Sequence, residues 1–453
     1  MNKKFFHSVY LDESLCKGCI NCIKRCPTQA IRVRNGKARI TSQFCIDCGE
    51  CVRVCPHHAK KARHDEMSML KNYRYTVALP APALYGQFNH LDDIDIVLTG
   101  LKHLGFDDVF EVSRAAEIVS DATRLLLSDG RLTKPVISSA CPAVVRLIRV
   151  RFPDLCAHVL PVKAPMEVAA MLAREEAVAK TGLPPEDIGI FFLSPCAAKV
   201  TDVRVPIGIE RSNVDGVLAI SDIYPRLVGC MNKLGQDAQP EPLARSGIIG
   251  VSWSSIGGEA AGLLNENHLA ADGIDNVINV LEELEDEKLQ ELDFIELNAC
   301  AGGCVGGIFT AENGYVARAR IQRLRKYLPV SCNRLEDAGG ERRLEWTEKL
   351  EFAPVMKLAE NVEDAMNMMQ QIDEYTERLP QLDCGSCGAP SCRALAEDIV
   401  RGLAQENDCI FRMRRQIQDI ASQLSRMEGY VPGELSGGPE MPAETDKQKD
   451  GTV

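Results

Sequence analysis

The apolar positions change rhythm several times along the chain. From about residue 74, apolar runs alternate with amphipathic stretches: Tyr75-Thr76-Val77-Ala78-Leu79 reads as a strand and Ile94 to Leu104 as a helix. Pro135–Ser139, Ile188–Leu193 and Asp293–Leu297 read as further buried strands, which predicts an α/β domain over 75–345. Each of these three ends at a cysteine-bearing loop. Ligands in such folds collect at the carboxyl ends of strands, so Cys141, Cys196, Cys300 and Cys304 are placed to converge from distant parts of the sequence.

Beyond that domain, residues 346–379 read as a helical connector, with the stretch Ala359 to Arg378 facing solvent. Further on, Met413, Ile417, Ile420, Leu424 and Met427 recur at steps of four and three, a heptad-like seam over 413–430. It spans only about two heptads, which fits a helix folded back on the body or a homodimer contact equally. The tail over 431–453, rich in Pro, Gly, Glu and Lys, reads as disordered.

Charge and composition narrow the function. With 453 residues, 45% of them hydrophobic, the chain has room for two or three domains with sizeable cores. A net charge of -12 disfavours nucleic acid or an anionic membrane as the main partner, since both call for a basic face. No run approaches the roughly 18 apolar residues of a spanning helix, and Met1 to Phe6 lacks the core of a signal peptide, so a cytoplasmic location is expected.

The 19 cysteines then decide the chemistry, because a reducing cytosol keeps thiols free unless metal binds them. Cys16, Cys19, Cys22, Cys26 and Pro27 form a C-x2-C-x2-C-x3-C-P run, and Cys45, Cys48, Cys51, Cys55 and Pro56 repeat it. Residues 1–66 are therefore an internal duplication of a hairpin-and-helix unit, similar to a bacterial two-cluster ferredoxin of the α+β class. Cys16, Cys19, Cys22 and Cys55 are expected to hold one 4Fe-4S cluster, and Cys45, Cys48, Cys51 and Cys26 the second. Paired zinc sites fit less well, because zinc knuckles lack the terminal Cys-Pro. His57 and His58 read as solvated loop residues.

The middle cysteines lie in Ser138-Ser139-Ala140-Cys141-Pro142, in Ser194-Pro195-Cys196-Ala197-Ala198-Lys199, and in Glu296-Leu297-Asn298-Ala299-Cys300-Ala301-Gly302-Gly303-Cys304-Val305-Gly306-Gly307. These three segments resemble the signatures of the [FeFe]-hydrogenase catalytic domain, a two-lobed α/β fold, and the resemblance runs over roughly residues 75–330. It implies that Cys141, Cys196, Cys300 and Cys304 bind an H-cluster, a 4Fe-4S cubane joined to a diiron unit, with Cys304 at the bridging position. It also implies that Lys199 supplies the positive charge beside an anionic diatomic ligand. The glycines Gly302 to Gly307 suit a backbone that closely approaches an inorganic cluster.

Three positions depart from the family pattern. Ala140 stands where active members carry a proton-relaying cysteine, and Ser194 and Asn298 stand where methionines lie beside the cluster. A methyl group cannot exchange a proton, so turnover is expected to be slow. The combination resembles the sensory branch of the family, implying hydrogen or redox sensing with hydrogen and protons as ligands. Asp202 matches the acidic residue of the ordinary proton route and Glu259 is a second candidate. A metabolic ferredoxin-linked hydrogenase remains an alternative, as does an electron-transfer or assembly protein without the diiron unit.

Over 380–412, Cys384, Cys387, Cys392 and Cys409 resemble the small, mostly helical 4Fe-4S domain of Rnf-type electron-transport proteins, with a zinc knuckle as the alternative. The expected inventory is three 4Fe-4S clusters, two N-terminal and one C-terminal, plus the H-cluster. Redox or signalling proteins and H-cluster maturases are the partners this implies. Cys156, Cys230 and Cys332 show no ligand spacing.

Overall fold

The computed structural model describes residues 6–237, 239–335, 340–355 and 357–428, so the tail expected over 431–453 lies outside the described residues. The chain divides into two units, one running to Glu360 and one beginning at Asn361.

The first unit opens with the duplication. Its elements are β1 (Val9–Leu11), α1 (Asn21–Lys24), β2 (Ile31–Arg34), β3 (Lys37–Ile40), α2 (Glu50–Arg53) and β4 (Lys60–Ala62). Strands β1 and β4 pair antiparallel with Leu11 opposite Lys60. Strands β2 and β3 form a hairpin closed by Asn35 and Gly36 at φ of 53° and 72°, the two left-handed positions of a tight primed turn.

The body follows with β5 (Tyr75–Pro80), α3 (Ile94–Leu104), β6 (Asp108–Val109), α4 (Val112–Ser128), β7 (Val136–Ile137), α5 (Pro142–Arg151) and α6 (Pro165–Thr181). Next come β8 (Ile188–Ser194), α7 (Ala197–Arg204), β9 (Gly216–Ala219), α8 (Ile220–Asp237), α9 (Ile248–Ser252) and α10 (Gly258–Gly262). It ends with β10 (His268–Asp272), α11 (Ile274–Glu285), β11 (Phe294–Asn298), α12 (Gly314–Leu324) and α13 (Glu341–Leu344).

Its strands form two parallel sheets, in the orders β6-β5-β8-β9 and β10-β11-β7. Every residue of β8 is buried, which is why it reads as an unbroken apolar run: a parallel strand covered on both faces has no polar side. Phe294 pairs with Val136 and Ile295 with Ile137, and Ser138 N donates to Ile295 O at 2.9 Å, prolonging the pairing towards Cys141.

The second unit contains α14 (Val362–Arg378), α15 (Cys392–Val400) and α16 (Ile410–Glu428). The helix read as a solvent-facing connector begins at this division and packs on α15, with Ile372 buried and Asp373 paired to Arg393 at 2.8 Å.

Candidate metal centres

Among the described residues, sixteen of the nineteen cysteines line four cavities in groups of four. Cys16, Cys19, Cys22 and Cys55 wall a cavity of about 290 Å³. Cys26, Cys45, Cys48 and Cys51 wall another of about 340 Å³, so the fourth cysteine of each run crosses to the other half. In the second unit Cys384, Cys387, Cys392 and Cys409 wall a cavity of about 290 Å³. Cys392 opens α15, where Ser391 accepts from Ala394 N as a helix cap and Asp383 from Cys392 N.

The largest of the four, about 860 Å³, is walled by Cys141, Cys196, Cys300 and Cys304. Cys141 immediately precedes α5 just after β7, Cys196 immediately precedes α7 just after β8, and Cys300 and Cys304 follow β11. The strand order thus brings together cysteines from two sheets. Ala140, Lys199, Glu259 and Asn298 share the wall. Lys199 donates from Nζ to Ala140 O at 2.9 Å.

Glu259 is buried and receives a hydrogen bond of 2.6 Å from Ser138 Oγ. Burial, reinforced by the nearby Glu296 carboxylate, pushes its pKa well up from the ordinary carboxylate value. Glu296 is raised less, because Gly257 N, Ala260 N and Asn298 Nδ2 donate to it at 2.9–3.0 Å. Neither the Ser138 contact nor the pairing with Glu296 follows from sequence spacing, since the partners lie 121 and 37 positions from Glu259.

Asp202 is placed elsewhere. It lines a neighbouring cavity with Glu167 and Lys163, facing Arg146 at 3.9 Å, and burial raises its carboxyl pKa. Glu167 there, also buried, accepts from Asn213 N at 2.8 Å.

Three glycines of the 302–307 loop, Gly303, Gly306 and Gly307, are crowded by protein. A Cβ at Gly303 would sit 2.6 Å from Ile256 N, and one at Gly307 would sit 2.1 Å from Pro195 O. His57 and His58 are exposed, Cys156 and Cys230 are half-buried and Cys332 is exposed. On α16, Met413, Ile417, Ile420 and Leu424 are exposed, while the Met427 side chain lies outside the described residues.

All-sulfur donor sets suit iron-sulfur clusters, and the electrostatics agree with that chemistry. Burial, with the charge of neighbouring thiolates, pushes Cys304 up to about 12 and Cys196 up to about 11, and burial likewise lifts Cys51 up to about 12. Side chains so buried stay neutral thiols unless a cation lies beside them. A buried lysine gives a second test. Lys60, 2% exposed, lines the Cys16/Cys19/Cys22/Cys55 cavity, and its Nζ has no hydrogen-bond partner among the described residues. A buried ammonium demands an anion, which an anionic cluster supplies.

Residues 74–246 and 259–308 match the model of the iron-only hydrogenase large subunit, C-terminal domain. This middle region is thus similar to the iron-only hydrogenase large subunit, over just under half of the chain. Residues 8–56 match the 4Fe-4S dicluster domain and residues 379–411 a family described as an Fe-S cluster, so iron-sulfur domains flank the hydrogenase-like region. Iron hydrogenase 1 of Clostridium pasteurianum is 25% identical over 361 residues, covering 65% of this chain and 62% of the relative. The NADP-reducing hydrogenase subunit HndD of Solidesulfovibrio fructosivorans is 23% identical over 346 residues, covering 66% and 56%. The chain therefore spans less than two thirds of the length of either relative. A solved [FeFe]-hydrogenase from Chlamydomonas reinhardtii superposes with a TM-score of 0.41 at 17% identity, covering 56% of this chain and 86% of that one. Among the described residues no helix is long and apolar enough to cross a membrane.

Proposed function

We propose that the chain is an iron-sulfur redox protein that carries out slow, reversible hydrogen chemistry at an H-cluster and reports hydrogen or redox state to a partner protein. The carrying observation is the convergence of Cys141, Cys196, Cys300 and Cys304 on one cavity that also holds Lys199 but offers Ala140 in place of a proton-relaying thiol.

In this reading the four cysteines hold the group, which when bound supplies the interconversion of hydrogen with protons and electrons. Lys199 presents an ammonium at the cavity wall and ties the Ala140-Cys141 loop to α7. Ala140 has no exchangeable proton, so transfer to the cavity lacks its usual final carrier. Glu259, whose raised pKa keeps a proton near neutrality and whose partner is Ser138, is the more strongly raised of the two acids on this wall, the other being Glu296. Asp202 sits in the adjoining cavity, where it serves proton exchange only through an intermediary. Two clusters bound by residues 16–55 and one bound by residues 384–409 carry electrons to partners.

Expression with H-cluster maturases followed by infrared spectroscopy tests this. Bands of metal-bound CO and cyanide that change under hydrogen are expected. Their absence from an iron-replete protein would overturn the hydrogen reading and leave an electron carrier. Hydrogen evolution by Ala140→Cys, expected to exceed that of the parent by roughly 10²-fold, tests the slow-turnover part.

A further inference from the structure

The two halves of the N-terminal duplication share backbone detail. Ala30 N donates to Cys26 Sγ at 3.2 Å and Ala59 N to Cys55 Sγ at 3.3 Å. Gln29 and His58, matched in the repeat, both take left-handed φ values of 53° and 50°. Cys26-Pro27-Thr28-Gln29-Ala30-Ile31 thus corresponds to Cys55-Pro56-His57-His58-Ala59-Lys60, with Ile31 and Lys60 each opening a strand. Both are 2% exposed, and each lines the cavity that receives the cysteine preceding it. Equivalent wall positions therefore carry an aliphatic side chain in one cavity and an ammonium in the other.

A second matched pair adds to the contrast. Gly18 corresponds to Asp47, which lines the Cys26/Cys45/Cys48/Cys51 cavity and accepts from His7 Nδ1, Val9 N and Thr201 Oγ1 at 2.8–3.0 Å. One cavity has a buried cation without a hydrogen-bond partner among the described residues, and the other has a buried carboxylate held by donors.

We propose that Lys60 is a potential-setting residue that splits the two N-terminal clusters, making the Cys16/Cys19/Cys22/Cys55 cluster the easier of the two to reduce. This rests on the cluster reading given above. A 4Fe-4S cluster with four thiolates carries a net charge of -2 when oxidised; it takes one electron from a one-electron donor, which is itself oxidised, and reaches -3. A fixed ammonium in a low-dielectric wall stabilises the added negative charge, and Asp47 opposes it at the other cluster. The direction of the split follows from placement. The Asp47 cavity adjoins the hydrogenase-like body, where Asp47 bonds Thr201, a Cβ at Gly49 would touch Ile308 at 2.8 Å, and Arg53 donates to Gly306 O at 2.8 Å. The residues lining the Lys60 cavity all fall within 11–60. Electrons arriving from the body through the Asp47-side cluster come to rest at the Lys60-side cluster, where a partner can collect them.

The test uses the full chain loaded anaerobically with iron and sulfide, titrated with dithionite and followed by electron paramagnetic resonance. In Lys60→Met, one one-electron component should become at least tenfold harder to reduce, ~59 mV lower, and the cluster ligated by Cys51, which also feels the Lys60 charge, should shift by less. Lys60→Arg should keep the parental value. A Met variant that retains its iron but shows unshifted components overturns the inference and leaves the cluster reading intact. Should the Met variant lose iron, Ile31→Lys decides: a component raised tenfold in reducibility supports the assignment, and none raised overturns it. Parent protein that binds no cubane iron overturns both.

Discussion

Lys199 Nζ lies 2.9 Å from Ala140 O and so joins two cysteine loops that leave different sheets, one after β8 and one after β7. A hydrogen bond from a charged donor is worth about 1.5–3 kcal/mol. Lys199→Met should therefore release iron from the Cys141/Cys196/Cys300/Cys304 cavity to a chelator roughly tenfold faster, corresponding to ~1.4 kcal/mol. Chelator-trapped iron over time is the measurement, with the iron held by residues 16–55 as an internal reference.

The Glu259 carboxyl gives a pH signature. Its folded-state pKa is raised from 4.5 to about 8, so between those values the folded chain keeps a proton that the unfolded chain has released. Stability must then fall as pH rises through this window, by up to ~1.4 kcal/mol per pH unit from this group. Thermal melts from pH 5 to 8 should show a shallower decline in Glu259→Gln than in the parent. Parallel pH profiles would refute the buried acid.

Close backbone contact makes Gly307 intolerant of a side chain. A methyl group there would lie 2.1 Å from Pro195 O, so Gly307→Ala should cost about 1–3 kcal/mol or more and lower the melting temperature. Gly229, inside α8 with nothing within 4 Å of its added Cβ, is the control: Gly229→Ala should gain about 0.5–1 kcal/mol.

Removing the Asp47 carboxylate strands several buried donors together. Asp47→Ala leaves His7, Val9 and Thr201 without their acceptor, at a cost of roughly 3 kcal/mol or more. Because Thr201 belongs to α7, denaturant unfolding should also become less cooperative, with residues near 6–66 protected less against proteolysis than in the parent.

Much of the site was readable because ligand spacing is a local property. The eight cysteines of the duplication, the four of the second unit and the strand-then-cysteine runs at 135–141, 188–196 and 293–300 each fit within a short window, and each group of four shares a cavity. Strand β10 was not readable: His268-Leu269-Ala270-Ala271-Asp272 has little β propensity and becomes a strand through its pairing with β11. The Glu259–Glu296 pairing and the separation of Asp202 from the largest cavity depend on how distant segments fold onto one another. Lys60 was in plain view, and laying one half of the duplication over the other exposes it. The amphipathic face of α14 was obscured by its charges, since burial of Ile372 depends on α15.

The largest cavity draws Cys196 from one sheet and Cys141, Cys300 and Cys304 from the other. Metal bound there would rivet together two sheets with separate hydrogen-bond ladders, and ligation by all four cysteines would need both in place. Insertion then belongs late in the maturation of the protein, and a chain that has lost its metal should come apart first along the seam between the sheets.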